Sequence, residues 1–345
     1  MAFSVAVAGC TGYAGGEVLR YLLGRPDIEI GALTAGGSAG KKLGEFHPNL
    51  WPLADRVVQP SDPAILAGHD IVFMGLPHGT SGPIAAQLPA ETLIIDLGPD
   101  HRLTSQGDWD KFYGGDYSPA WTYGLPELPG QREALANTKR IAVPGCYVTT
   151  VTLSLLPALT SGLIDGRDIV VAAASGSSGA GKAAKPNLLG AEMFGSMSAY
   201  GVGGTHRHVP EILQNLRSLG ANNPTLSFTP VLAPMARGIM AVCTAPLLNP
   251  DETTATDAQA AYRAAYDQES FLNVCPDGVW PSSKWVLGSN GFAVQVTVDA
   301  QAGRLVAVGT LDNLAKGTAS QAIQAMNIAL GLDETTGLNN IGVAP

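Results

Sequence analysis

Two stretches of the chain carry residue types whose spacing can do covalent and acid–base chemistry. In Pro144-Gly145-Cys146-Tyr147-Val148-Thr149-Thr150 a cysteine follows a Pro-Gly turn and opens a stretch of helical character over 147–159. A thiol at a helix N-terminus lies at the positive end of the helix dipole, which favours the thiolate. The thiolate is the form a covalent nucleophile needs. Cys10, in a glycine-rich turn, shares a helix N-terminus but is expected against a cofactor. Cys243 lies in an apolar run, and Cys275 has no activating neighbours. The second stretch is Thr205-His206-Arg207-His208-Val209-Pro210-Glu211-Ile212. Pro210 suits the first position of a helix, which puts Glu211 in the first turn near His208. An imidazole beside a thiol can take and return its proton, and a carboxylate can orient the imidazole. Only one of the two histidines is expected to reach the site. No Cys or His partner stands at metal-ligand spacing, so no metal is expected.

A third motif, Gly9-Cys10-Thr11-Gly12-Tyr13-Ala14-Gly15, joins an apolar run to a helical pattern with the spacing G-x-x-G-x-x-G. Glycines there allow a tight turn and let backbone approach a pyrophosphate, and the helix N-terminus presents free N–H groups to it. An NAD site usually carries Asp or Glu at the end of the second strand. Here that position reads Leu33-Thr34-Ala35-Gly36-Gly37-Ser38-Ala39-Gly40-Lys41-Lys42. A hydroxyl and two lysines without a carboxylate favour NADP(H). Less specific clusters are Asp96–Leu103, which offers Arg102 as an anion clamp, Ser175–Lys182 with its small donors, and Pro234–Gly238, which offers Arg237.

The elements that must position these groups follow from apolar patterning. Phe3–Ala8, Ile28–Thr34, Asp70–Met74 and Thr92–Asp96 are short apolar runs with little alternation, as suits strands buried on both faces of a parallel sheet. Gly16–Leu23 has helical spacing, and the alternation predicts a Rossmann-like, doubly wound α/β domain. Beyond residue 150 the texture changes. Val151–Leu159 reads as helix; Asp168–Ala174, Thr225–Ala233, Gly238–Ala245 and Phe292–Val298 read as strands; Asp251–Gln268 reads as one amphipathic helix. This predicts an α+β catalytic and dimerisation domain with a mostly antiparallel sheet. Lys316–Leu330 reads as a closing helix. The expected division is 1–147 with 313–345 for the cofactor domain and 148–312 for the catalytic one.

The 345 residues suit two domains. Charged residues are only 14%, which points to a large core and to surface buried in an oligomer. A net charge of −9 without a basic stripe argues against nucleic-acid binding. Four cysteines without C-x-x-C spacing are no disulfide framework, so a reducing compartment is expected. The N-terminus lacks a basic region before its apolar run, and no apolar run reaches membrane-spanning length. A cytoplasmic enzyme is expected.

In combination the chain resembles the N-acetyl-γ-glutamyl-phosphate reductases of arginine biosynthesis, relatives of aspartate-semialdehyde dehydrogenase. The carriers are Gly9–Gly15, Gly75-Leu76-Pro77-His78-Gly79, Asp96–Leu103, Tyr123-Gly124-Leu125-Pro126-Glu127-Leu128, Pro144–Tyr147, Ser175–Gly181, His206–Glu211 and Leu311–Gly317. They run in order along nearly the whole chain. The resemblance implies NADPH-dependent reduction of an acyl phosphate through a Cys thioester, releasing a semialdehyde and phosphate. It implies Cys146 as nucleophile, His208 as acid–base residue and Glu211 as its orienting carboxylate. It implies cofactor contacts at Gly9, Thr11, Gly12, Tyr13, Ala14, Gly15, Pro77, Ser178, Gly179, Asn313 and Lys316, while Ser38 and Lys41, read from the residues after strand two, are the candidates for the 2′-phosphate. Arg102 and Arg237 are the candidate substrate residues. A homo-oligomer, dimer or tetramer, is implied, with a C-terminal helix returning to the first domain. Many relatives carry an arginine after the second strand where this chain reads Ala35-Gly36-Gly37-Ser38. The rivals are a reductase acting on aspartyl phosphate, a glyceraldehyde-phosphate dehydrogenase-like enzyme, which would want an acid after strand two, and a non-catalytic NADP-sensing protein, which has no use for Cys146 or His208.

Overall fold

A computed structural model describes residues 2–344. The chain forms two compact units, Met1–Pro144 with Thr318–Leu338, and Gly145–Gly317 with Asn339–Pro345.

The first unit contains β1 (Phe3–Ala8), α1 (Tyr13–Leu22), β2 (Ile28–Ala35), β3 (Gln59–Pro60), α2 (Pro63–Leu66), β4 (Ile71–Met74), α3 (Ser81–Ala85), β5 (Leu93–Asp96), α4 (Gln106–Phe112), β6 (Thr122–Tyr123), α5 (Gln131–Ala136) and β7 (Arg140–Ala142). The strands form one parallel sheet in the order β3-β2-β1-β4-β5-β7-β6. All four residues of β4 and of β5 are buried, which is why those runs show no polar alternation. The strand order reverses between β1 and β4, the switch point where doubly wound sheets bind ligands at the carboxyl ends of their strands. Gly9 leaves β1 there with φ +80°, and a Cβ on it would lie 2.1 Å from the Gly75 carbonyl oxygen at the end of β4. Only glycine allows the two strand ends to meet so closely.

The second unit contains α6 (Cys146–Thr160), β8 (Ile169–Ser175), α7 (Gly190–Met193), β9 (Ser198–Ala199), α8 (Val209–Ser218), β10 (Leu226–Leu232), β11 (Ile239–Pro246), α9 (Ala255–Tyr266), β12 (Leu272–Val274), β13 (Phe292–Asp299) and β14 (Arg304–Leu311). Its sheet runs β12-β13-β14-β11-β8-β10-β9, parallel at β8/β10 and β12/β13 and antiparallel elsewhere. β11 alternates buried and half-buried residues along its whole length, and β8 and β10 alternate likewise. One face packs on α6, α8 and α9. The other leaves Val170, Ala172, Ser227 and Thr229 exposed and Met240 and Val242 half-buried.

Helix α6 is buried from Tyr147 to Leu159 and contains Pro157, which has no N–H to give the Leu153 carbonyl one turn earlier. Tyr266 from α9 makes up the loss: its hydroxyl donates to Leu153 O at 2.6 Å, and Tyr262 donates to Ser154 O at 2.5 Å.

The closing helix α10 (Ser320–Ala329) is preceded by a π-helical turn at Ala315–Ala319 in place of the regular helix expected from Lys316. α10 returns to the first unit, packing on α1 and α5. Gln321 donates to Gly124 O at 2.7 Å, and Asn327 accepts from Arg25 at 2.7 Å. The last segment departs from the expected division. Residues 339–344 belong with the second unit, where Asn290 N–H donates to Asn339 O and Val343 N–H to Leu287 O. No helix among the described residues is long and apolar enough to cross a membrane.

Candidate active site

Cys146 is the first residue of α6, and Gly145 is its N-cap, with no side-chain hydrogen bond capping the helix. The thiol carrier is half-buried, whereas Cys10, Cys243 and Cys275 are buried. Burial pushes the Cys10 and Cys243 thiols up to about 12 and also raises Cys275. Burial thus disfavours the thiolate at three of the four cysteines. Cys10, expected against a cofactor, is fully buried.

Two neighbours shape the turn at Cys146. A Cβ built on Gly317 would lie 2.8 Å from the Cys146 Cβ, so the π turn at Ala315–Ala319 lays bare backbone against that carbon. That turn is closed by the Gly317 N–H donating to Asp312 O, five residues back, at 2.9 Å. Such π-bulges recur at functional sites. On the other side, a Cβ on Gly145 would lie 2.5 Å from His208 Nε2. The imidazole therefore rests on the Gly145 backbone, one residue from the thiol, and Gly145 is required to admit it.

His208 is the N-cap of α8, with Val209 at the first helical position, Pro210 at the second and Glu211 at the third. Pro210 sits one position later than the sequence reading placed it, because His208 already has helical backbone angles. Glu211 is fully buried, and its Oε1 accepts the Gly145 N–H at 3.1 Å.

His206 also lies in this cluster, with its ring centroid 4.8 Å from that of His208. The expectation that a single histidine reaches the site must be refined, because the turn at 207–208 brings both rings to one place. Their settings differ. His206 is packed by Tyr147, Tyr200 and Phe228, and its Nδ1 accepts the His208 N–H at 3.1 Å. Burial pushes its pKa down to about 4, so at neutral pH it is an uncharged acceptor. Tyr200 donates to the Tyr147 hydroxyl at 3.0 Å, and burial raises both phenols.

The Ser175–Lys182 loop forms a short 3-10 turn, Ser177–Ala180. Asn313 latches it: its Nδ2 donates to Ser178 Oγ at 3.0 Å, and its Oδ1 accepts the Gly238 N–H at 2.8 Å. Gly179 packs beside the same amide. Arg237 is held along one edge by buried Asp312, with Nε to Oδ1 at 3.1 Å and Nη2 to Oδ2 at 2.9 Å. Asp312 went unremarked in the sequence, since its partner stands 75 residues away. The Lys316 side chain is fully buried, with Nζ 5.8 Å from the Phe271 ring centroid.

In the first unit the glycine motif forms the turn between β1 and α1. Gly12 is the N-cap of α1 without a side-chain cap, and a Cβ on it would meet only Gly9 O, at 3.4 Å, leaving space above the helix end. Thr11, Tyr13 and Ala14 complete this turn, and Gly15 approaches Gly9 O so closely that a Cβ would lie 2.4 Å away. Such a helix end suits a pyrophosphate. Pro77 stands in the loop after β4, where its carbonyl accepts the Thr80 N–H. Buried Asp100 anchors that loop by accepting the Gly79 and Ser81 N–H groups at 2.9 and 3.1 Å. Arg102 is buried and donates to Leu97 O at 2.8 Å. After β2, Ser38 is half-buried and Lys41 is exposed, its Nζ 5.9 Å from the Phe46 ring centroid. Lys42 is already paired with Asp55 at 2.7 Å.

Two family models match the chain: the semialdehyde dehydrogenase NAD binding domain over residues 4–138 and the semialdehyde dehydrogenase dimerisation domain over 146–313. An N-acetyl-gamma-glutamyl-phosphate reductase of Thermobifida fusca is 58% identical over 348 residues, covering all of both chains. One of Streptomyces coelicolor is 56% identical over 345 residues, again covering all of both chains. Among solved structures, aspartate semialdehyde dehydrogenase II of Vibrio cholerae complexed with ASA superposes with TM-score 0.70 at 18% identity, covering 96% of this chain and 99% of that one. Aspartate semialdehyde dehydrogenase of Candida albicans with NADP gives 0.69 at 17%, covering 95% and 98%. At these identities the structures speak for the fold.

Proposed function

Since the chain belongs to the N-acetyl-gamma-glutamyl-phosphate reductases, we propose that it reduces N-acetyl-γ-glutamyl phosphate to the 5-semialdehyde and phosphate, as a step of arginine biosynthesis. The observation that carries the mechanism is local: the half-buried Cys146 opens α6 beside a glycine on which the His208 imidazole rests.

The Cys146 thiolate attacks the acyl carbon. The C–O bond to phosphate breaks, phosphate leaves with the bonding pair, and a thioester remains on Sγ. NADPH, when bound, supplies hydride. His208 manages the proton at the former carbonyl oxygen: it donates as the thiohemiacetal oxyanion forms and takes the proton back as that species collapses to aldehyde and thiolate. Arg102 and Arg237 are the proposed substrate residues, Arg237 presented in one orientation by Asp312.

The cofactor is NADP(H). Gly9, Thr11, Gly12, Tyr13, Ala14, Gly15 and Pro77 would hold its diphosphate side, and Ser178, Gly179 and Asn313 are further proposed contacts. Ser38 and Lys41 are assigned to the 2′-phosphate, because Lys42 is neutralised by Asp55. A charge-assisted contact of this kind contributes about 1–3 kcal/mol. Lys41→Ala should therefore lower the NADP⁺ over NAD⁺ preference in kcat/KM by roughly tenfold. An unchanged ratio would remove Lys41 from the assignment.

The dimerisation domain and the open apolar face of the second sheet support self-association, and we read the assembly as a dimer or tetramer in the cytoplasm. The test of the reaction is phosphate-dependent NADP⁺ reduction by the purified enzyme with N-acetyl-glutamate 5-semialdehyde. Preference for aspartate 4-semialdehyde would transfer the protein to the related activity, and no turnover with either would favour a non-catalytic NADP sensor.

A further inference from the structure

A carboxylate at the third position of a helix normally turns back to bind the N–H of its own N-cap, the reciprocal arrangement of a capping box. Glu211 occupies that position in α8, yet it does something else. The N-cap N–H, that of His208, is taken by His206 Nδ1 at 3.1 Å. Pro210, between them, has no N–H to offer. The Glu211 carboxylate, fully buried, instead reaches across to another helix, where Oε1 accepts the N–H of Gly145 at 3.1 Å. Gly145 is the N-cap of α6, the residue before Cys146.

We propose that Glu211 is a positioning residue for the nucleophile's turn: it caps α6 from α8 by accepting the Gly145 N–H, fixing Cys146 relative to His208. This rests on the assignment of Cys146 and His208 to the reaction, and it adds to the role of a carboxylate that orients an imidazole a second one toward the nucleophile's turn.

The two α8 residues grip one glycine from two directions. His208 occupies the space where a Gly145 side chain would be, and Glu211 holds its N–H. Together they define the φ −67°, ψ 143° conformation from which α6 starts. A substitution at Gly145 cannot test this, because any Cβ strikes the imidazole. The test must be made at position 211, with one variant that keeps the acceptor and one that does not. Gln keeps an oxygen acceptor and loses the charge; Leu loses both.

Glu211→Gln is expected to retain most of the turnover, with the acid limb of its kcat–pH profile near that of the parent. Glu211→Leu is expected to lose roughly 10²-fold in kcat, the scale of a misplaced reacting group, with KM little changed. A direct readout independent of substrate is the plateau rate of Cys146 alkylation by iodoacetamide, which should fall in Glu211→Leu and not in Glu211→Gln. If Glu211→Leu does not fold, the Gln variant still decides. A Gln variant crippled in turnover, with a shifted acid limb, would show that the charge acts on the imidazole and would overturn the proposal. The assignment of Cys146 itself is judged separately, by whether Cys146→Ser is inactive.

Discussion

Cys146→Ser is expected to lose on the order of 10⁴–10⁶ in kcat while keeping its fold and its affinity for NADP⁺. The thioester route depends on a nucleophile that ionises near neutrality, and a serine hydroxyl does not. The local setting favours the anion in the parent: Cys146 is the first residue of α6, whose N-cap offers no side chain to occupy the helix end. Serine is close to isosteric, so Gly317 and Gly145 can keep their contacts with the turn. The remaining thiols cannot substitute, because Cys10, Cys243 and Cys275 are buried and their pKa values raised. Iodoacetamide should accordingly label Cys146 first in the native protein, and labelling should track loss of activity one for one. Steady-state rates in both directions, together with NADP⁺ binding by fluorescence, make the comparison. A serine variant with substantial turnover would end the covalent mechanism and leave the fold assignment untouched.

What the sequence could reveal depended on range. Phe3–Ala8, the Gly9–Gly15 turn and the following helix are local, and each has its own residue pattern, so the first βαβ unit and its glycine turn could be read directly. Cys146 was legible for the same reason: a Pro-Gly pair, a thiol and a helical run lie side by side. β14, Arg304–Leu311, which pairs with both β11 and β13, is not among the strands expected from the sequence. The closing helix was readable from Ala319, Ile323 and Met326, but not the π turn before it. That turn depends on Asp312, whose carboxylate accepts the Leu314 N–H at 2.9 Å and also holds Arg237 and the Gly288 N–H. The grip of Glu211 on Gly145 spans 66 residues, and no local pattern announces a bond of that kind. Long-range polar pairs of this sort are chosen by the packing of helices.

His208→Asn is expected to lose roughly 10²–10⁴ in kcat, the usual contribution of a general acid–base group. His206→Asn should lose far less. The reason lies in the different electrostatic positions of two rings whose centroids are only 4.8 Å apart. His206 is enclosed by aromatic rings, and its pKa is lowered to about 4, so near neutrality it has no proton to give at Nδ1 and is slow to accept one. Its lone pair is committed to the His208 N–H. That role is structural, and its cost should appear in stability. The unfolded chain's imidazole protonates below pH of about 6.5, while the folded site resists until about 4; the His206 contribution to folding is therefore lost as pH falls through that window. His206→Asn should flatten this acid-side decline in Tm while sparing turnover at neutral pH. His208, by contrast, rests on the Gly145 backbone beside the half-buried Cys146, the place from which the proposed proton transfer would start. Asparagine at 208 can still donate a hydrogen bond but cannot exchange a proton, so the loss should fall on kcat, with a flattened pH dependence, more than on KM. Steady-state oxidation of the semialdehyde by both variants across pH separates the two. If His206→Asn is the crippled enzyme and His208→Asn the mild one, the acid–base role belongs to the buried ring, and the positioning role given to Glu211 must be argued again from that ring.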